Sequence, residues 1–364
     1  MSTSEAFPFT QTNDEISGAN LFAIAPSTIR DARYQGDFRV KVSPTVISQG
    51  AHFKSAPSYQ SQGWTLAVHP EGKRYAYILT EQRVSVVTES QVTDTGVAER
   101  IEGWIALIHA RATEEDVHLL ETSDLFLELE PDSNACNYWF ADHALRTIFW
   151  LRSADSREIG LPNSCSDGHL QYSLEENYWI HVEMFPGTAA QYATTALNEL
   201  QIILLHARAD ALTSDVPTFP YTAEESEKFI NLLQCSKDHA TNPYITTVVA
   251  RLWVVVANHR FFTHFGENHC RMSAVHSVLE APIRKRSLLL TGISKVLFDL
   301  PNEHRRRLEN IWVDELVYAA AWRKYVSERV EDLRLTMIWV SQTRVIGPKN
   351  ICSFIVSSQK SFSR

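Results

Sequence analysis

Residues 124–150 read DLFLELEPDSNACNYWFADHALRTIFW. From Leu127 to Glu130 apolar and acidic residues alternate, the period of two that a half-buried strand leaves in a sequence. Pro131, Asp132, Ser133 and Asn134 supply a turn, and apolar-aromatic strands follow at 137–141 and 146–150. The stretch predicts a three-stranded antiparallel meander. A similar triplet lies upstream. Residues 63–79 read GWTLAVHPEGKRYAYIL, strand, turn at 69–73, strand, and a third strand is expected at 83–87. The two triplets align without a gap at an offset of 63, with Trp64 on Leu127, Tyr75 on Tyr138, Tyr77 on Phe140, Arg83 on Arg146 and Val87 on Trp150.

The sequence around these strands is that of a globular chain. It has 364 residues, 44% hydrophobic and 21% charged, with nine Trp, enough to bury a sizeable core. Five cysteines without CxxC spacing suggest free thiols in a reducing compartment. Net charge is −9, unevenly spread. Residues 283–364 hold fifteen Lys/Arg and eight Asp/Glu, net +7, which leaves −16 on residues 1–282. An acidic body disfavours nucleic acid as a partner. The N-terminus has no basic-then-apolar leader, and no run of 18 apolar residues is present, so neither a secretory signal nor a membrane span is expected.

Between the triplets, Val97, Ile101, Trp104, Ile105 and Ile108 fall on one face of a helix. A short second helix is expected from Thr113, with Asp116 in a capping box. Beyond residue 170 the pattern is helical. Capping boxes at 173–176 and 222–225 open two helices. Others are expected over 190–212, 245–262 and 273–299. A last helix is expected from Pro301, with a stripe of Leu308, Ile311, Trp312, Leu316, Ala319, Trp322, Val326, Val330 and Leu333. After residue 340 no stripe remains.

Counted back from Trp150, the aromatic pair Trp139-Phe140, then Asp142-His143, then Arg146, resembles the second half of a WW domain. Gly63-Trp64 with Gly72-Lys73-Arg74-Tyr75 resembles its opening. The chain as a whole resembles a family of uncharacterised fungal proteins described as WW-domain-containing, over most of residues 60–335. The resemblance implies a proline clamp made by Trp139 and Trp150, with His143 and Arg146 on its specificity edge. It also implies that Trp64, Tyr75 and Tyr77 are structural. Aromatics on adjacent strands grip a proline ring of a ligand already extended as polyproline II. Such family members usually continue into an apolar, membrane-spanning stretch, which this C-terminus does not show.

His259, His264, His269 and Cys270 form the densest group of metal-capable residues. Spacings of five misplace ligands on a helix, so no metal and no cofactor is expected. HExxH, P-loop and GxSxG patterns are absent, and no catalytic residue is assigned.

The expected fold is α+β: two small antiparallel WW-like β-meanders with bracing helices, followed by an α-helical domain. Its parts are a flexible segment (1–58), paired meanders (59–152), a helical domain (170–339) and an irregular tail (340–364). The expected function is non-enzymatic protein interaction, with proline-rich segments as partners, in the cytoplasm. An alternative is an enzyme or small-ligand-binding protein with its pocket among the helices. Membrane association is the alternative location if the native C-terminus is longer.

Overall fold

The computed structural model describes residues 20–35, 39–44, 63–80, 84–130, 133–279, 294–295, 299–314, 316–317 and 319–346. Much of the expected flexible segment, Arg83, most of the helix expected over 273–299 and the end of the tail lie outside these residues. Two compact units are present, Met1–Thr213 with Ala223–Cys270, and Ser214–Thr222 with Arg271–Arg364.

The first unit is built on one sheet. Strands β1 (Asn20–Ala23), β2 (Thr65–Val68), β3 (Arg74–Leu79), β4 (Ser85–Thr88), β5 (Ser123–Leu129), β6 (Ala135–Asp142) and β7 (Thr147–Phe149) form a seven-stranded mixed sheet. Its order is β1-β6-β5-β4-β3-β2, and β7 also pairs with β6. The expectation of two small, separate antiparallel meanders is corrected here: the architecture is α/β. Strands β2, β3 and β4 pair antiparallel, as do β5, β6 and β7. The triplets then fuse, because β4 and β5 pair in parallel, with Val86 opposite Leu125 and Val87 opposite Phe126.

Parallel neighbours need a long crossover. Helix α2 (Thr95–Glu114) makes it, capped by the Asp94 side chain, which accepts the N–H groups of Gly96 and Val97. The helix expected at Thr113 does not form; α2 ends there, and Asp116 turns away at φ 55°. One face of α2 buries Ile101, Trp104 and Ile108 against Trp64, Val86, Leu125, Leu127, Tyr138 and Phe140. A lone three-stranded sheet buries too little apolar area to offset its ordering entropy. The fused sheet with α2 on top buries far more.

The opposite face of the sheet is covered by helices. Helix α3 (Asp167–Met184) contacts β6, β7, α1 (Pro26–Gln35) and α6 (Pro243–Phe262). Ser166 caps α3 by accepting the His169 N–H, so the helix starts about two turns before the expected box at 173–176. Between α3 and α6 run α4 (Ala193–Thr213) and α5 (Ala223–Cys235). Trp179 and Trp253 stack across α3 and α6 with centroids 5.2 Å apart. Apolar residues on every side of α3 and α6 are explained by burial between layers.

In the second unit the expected last helix is split. Helix α7 (Leu300–Ile311) ends at a two-strand corner, β8 (Trp312–Val313) with β9 (Leu316–Val317), and α8 runs from Ala319 to Ile346. Asp314, at φ 52°, makes the corner. Its carboxylate accepts the Val278 N–H at 2.7 Å and the Ser277 hydroxyl at 2.6 Å, and pairs with the buried Arg271. Helix α8 also extends seven residues into the expected tail, to Ile346.

If α2 is the support that the sheet requires, Ile108→Ala should cost about 3 kcal/mol through lost burial and a residual cavity. The check is urea unfolding of the full chain, with a lowered midpoint expected.

Candidate functional sites

The residues expected to form a proline clamp are placed by the sheet pleat. Trp139 is fully buried on the α3 face, stacked on Phe126 at 3.8 Å between centroids. Trp150 is half-buried elsewhere. Strand β7 stops at Phe149, β1 takes the remaining edge of β6, and the Trp150 indole N–H donates to the Ile24 carbonyl at 3.2 Å. No open groove joins the two rings. Arg146, at φ 52°, pairs with Glu199 and lies over the rings of Trp179 and Trp253. Trp64 is buried under α2. Tyr75 packs edge-on against Phe185, its hydroxyl accepting the Gly187 N–H at 3.1 Å, and burial pushes its pKa up to about 12. Tyr77 lies beside it, 6.3 Å between centroids.

His143 belongs to a different group. Asp124 on β5, His143 at the end of β6 and His181 on α3 converge with exposures of 2%, 5% and 0%. Asp124 Oδ2 accepts from His181 Nε2 at 3.0 Å and from the Thr188 hydroxyl at 2.5 Å, and His143 Nε2 lies 3.1 Å away, off the straight line of its N–H. Each imidazole is oriented by its other nitrogen. Trp139 Nε1–H donates to His181 Nδ1 at 3.1 Å, which fixes the His181 proton on Nε2, facing Asp124. His143 Nδ1 is 3.2 Å from the Tyr178 hydroxyl. Burial alone would raise the Asp124 pKa. The close contact with His143 and the hydrogen bond from His181 outweigh it and hold the carboxyl well below the usual range. These are catalytic residue types in a place without solvent. The bonds of Asp124 to His181 and Thr188 staple the sheet to α3 and the segment after it, while His143 Nε2 makes a close contact with Asp124 and no hydrogen bond.

His69, from the turn of residues 69–73, is a second staple. Its Nε2 bonds the Glu183 carbonyl at the end of α3 at 2.9 Å, and its Nδ1 accepts the Glu71 N–H. Gly72 closes this turn at φ 96°, a conformation open to glycine.

A third cluster lies at the start of α3. Cys165, His264 and His269 bring one sulfur and two ring nitrogens together, and His169 Nδ1 lies 3.3 Å from the same sulfur. Cys165 and His169 come from the α3 N-terminus, His264 and His269 from the loop after α6. Cys165 and His269 are exposed; His169 and His264 are buried. His259, expected to share a site with these histidines, lies on α6, and its carbonyl accepts the Thr263 hydroxyl. Sequence spacing alone could not join 165 and 169 to 264 and 269. The C-x3-H and H-x4-H spacings were the available signal.

No helix among the described residues is long and apolar enough to cross a membrane. Comparison with known proteins is silent: no family model, no curated protein and no solved structure matches the chain.

The buried histidines give the fold a defined response to pH. Burial lowers the pKa of His69 and of His181, with hydrogen bonds to Glu183 and Asp124 opposing it. Both therefore bind protons more weakly folded than unfolded. The stability they contribute is complete above the unfolded value of about 6.5 and falls as pH drops below it. The slope limit is about 1.4 kcal/mol per pH unit for each group. Asp124 adds a loss only when pH falls below about 4. Burial pushes the Glu128 pKa up to about 7, which acts in the opposite direction, so the test is a difference: between pH 7.5 and 5 the urea midpoint of His69→Gln should fall less, or rise more, than that of the wild-type chain. Parallel pH profiles of the two proteins contradict this assignment. Asp124→Ala leaves His181 Nε2–H buried without an acceptor, and should cost about 3 kcal/mol.

Proposed function

We propose that the protein is a non-enzymatic interaction protein that associates with a second copy of itself through α8. The observation that carries this reading is a stripe of apolar side chains along that helix that face solvent. Trp322, Val326, Val330, Leu333 and Met337 are all exposed, the last three by 59–71%. At 28 residues the helix is about 42 Å long.

Val326, Val330, Leu333 and Met337 follow at steps of four, three and four, the a/d repeat of a helix seam. A seam of this kind is complementary to its own copy across a two-fold axis. The flanking charges are satisfied within the helix. Arg329 pairs with Asp332 at 2.7 Å and Arg334 with Glu331 at 3.7 Å. They therefore add little repulsion between copies. A large exposed apolar stripe marks an association surface more often than a free one. Proline-rich partners lose support, because Trp139 is interior. An enzymatic reading centred on the Asp124 group loses support, because that group is sealed from solvent.

The full chain should sediment as a dimer at tens of micromolar. Val330→Glu combined with Leu333→Glu should weaken the dimer at least about 100-fold by placing charges in an apolar seam, with far-UV circular dichroism unchanged. A wild-type chain that stays monomeric throughout overturns the proposal.

A further inference from the structure

Cys165 Sγ is approached by three ring nitrogens, His169 Nδ1 at 3.3 Å, His264 Nδ1 at 3.6 Å and His269 Nε2 at 3.6 Å. His264 Nδ1 and His269 Nε2 are themselves 3.2 Å apart. From these contacts we infer that Cys165, His169, His264 and His269 form a zinc site.

Four of the six donor–donor distances match the edges of a tetrahedron around one ion. With Zn–N near 2.05 Å and Zn–S near 2.3 Å, tetrahedral edges are about 3.3–3.4 Å between nitrogens and about 3.5–3.6 Å between nitrogen and sulfur. The four measured edges, Sγ to each nitrogen and His264 Nδ1 to His269 Nε2, fall within about 0.3 Å of those values; Cys165, His264 and His269 form the compact core of the site, and the His169 ring must turn to join them. The donor set suits zinc: one thiolate and three imidazoles, soft and borderline ligands that select it over calcium or magnesium.

Protons do not account for the cluster equally well. His169 Nε2 bonds the Phe261 carbonyl at 2.8 Å, so its one ring proton is used there. Its Nδ1 is therefore a bare acceptor aimed at Sγ, and it also receives the Cys165 backbone N–H at 3.2 Å. A thiol has one proton to give, yet three nitrogens surround it. In the Asp124 group the same residue types place donors against acceptors. Here one fixed acceptor and two further ring nitrogens are gathered around one sulfur, an arrangement that a cation satisfies.

The supporting residues fit this role. The Phe261 carbonyl holds the His169 tautomer, as outer partners of metal-bound histidines do. His169 is stacked between Phe261 and His264, with centroids 4.1 and 4.3 Å away. The loop after α6 is folded by tight turns. His264 lies at φ 51° and Gly266 at φ 85°, and the Glu267 and Cys270 N–H groups bond back to the His264 and Glu267 carbonyls. These turns remove the objection from spacing. His264 and His269 do not lie on a helix, so a step of five places them on one point. The Glu267 carboxylate accepts the Ser166 hydroxyl next to the cap of α3. Four protein donors close the coordination sphere, so the ion is structural: it ties the start of α3 to the end of α6.

The test uses the full chain. Native mass spectrometry of protein purified without chelator should find one zinc per chain. Cobalt exchanged into the site should give tetrahedral d–d bands and a thiolate-to-cobalt charge-transfer band. Cys165→Ser should abolish that charge-transfer band. His269→Ala, at an exposed position that need not disturb folding, should weaken zinc at least about 100-fold with far-UV circular dichroism unchanged. His169→Ala should weaken it similarly and turn the cobalt spectrum towards higher coordination. A folded wild-type chain that binds zinc no more tightly than about 100 µM overturns the inference. So does a cobalt spectrum lacking the thiolate band, or zinc affinity unmoved by His269→Ala. Affinity unmoved by His169→Ala overturns the four-ligand site.

Discussion

Asp124 puts a carboxylate in the middle of a sheet, where a charge without partners would cost several kcal/mol. Its neighbours in β5 explain why it is there. Leu125 and Leu127 point to α2, and Asp124 and Phe126 point to the other face, so the carboxylate meets whatever packs there. That layer must supply donors. His181 comes from α3, Thr188 from the segment after it and His143 from the end of β6. The requirement fixes the rotation of α3 about its axis: His181 must face the sheet, and Trp179 then faces Trp253 on α6. The position of α3 follows from one charge that has to be satisfied.

The same constraint explains why the aromatic residues of β6 are core. Trp139 lies on the Asp124 face, where its indole N–H orients His181 and its ring stacks on Phe126. A proline-binding Trp would need that face open to solvent. Trp150 would have continued the ladder on the same side, but β1 pairs with β6 beyond β7 and turns it towards Ile24.

Local features of the fold were legible in the sequence, and its long-range pairings were not. The alternation from Leu127 to Glu130 and the stripe of Val97, Ile101, Trp104 and Ile108 mark β5 and α2, because strand and helix periods are local properties. Nothing local says that β5 pairs in parallel with β4. Val86 and Leu125 are simply buried apolar residues, and such residues look alike in an edge and in a central strand. The WW-like spacing of Trp139, His143 and Trp150 reflects strand geometry that any aromatic meander shares. The break at Asp314 was hidden for a similar reason: an apolar stripe continues through Trp312 and Leu316 whether the chain stays helical or turns a corner.

The two histidine clusters separate on proton bookkeeping, although each contains three or more residues able to hold an ion. Around Asp124, the donors His181 Nε2–H and Thr188 O–H point to one oxygen, and Trp139 occupies the second His181 nitrogen. A cation there would have to displace protons already well placed. Around Cys165, the fold itself has spent the His169 proton on the Phe261 carbonyl and left the lone pair facing a thiol. Burial follows the same division. Asp124, His143 and His181 are sealed, whereas Cys165 and His269 lie at the surface, where an ion can enter and leave. The sealed group ties β5 to α3, and the surface group is the one that solvent and its ions can reach.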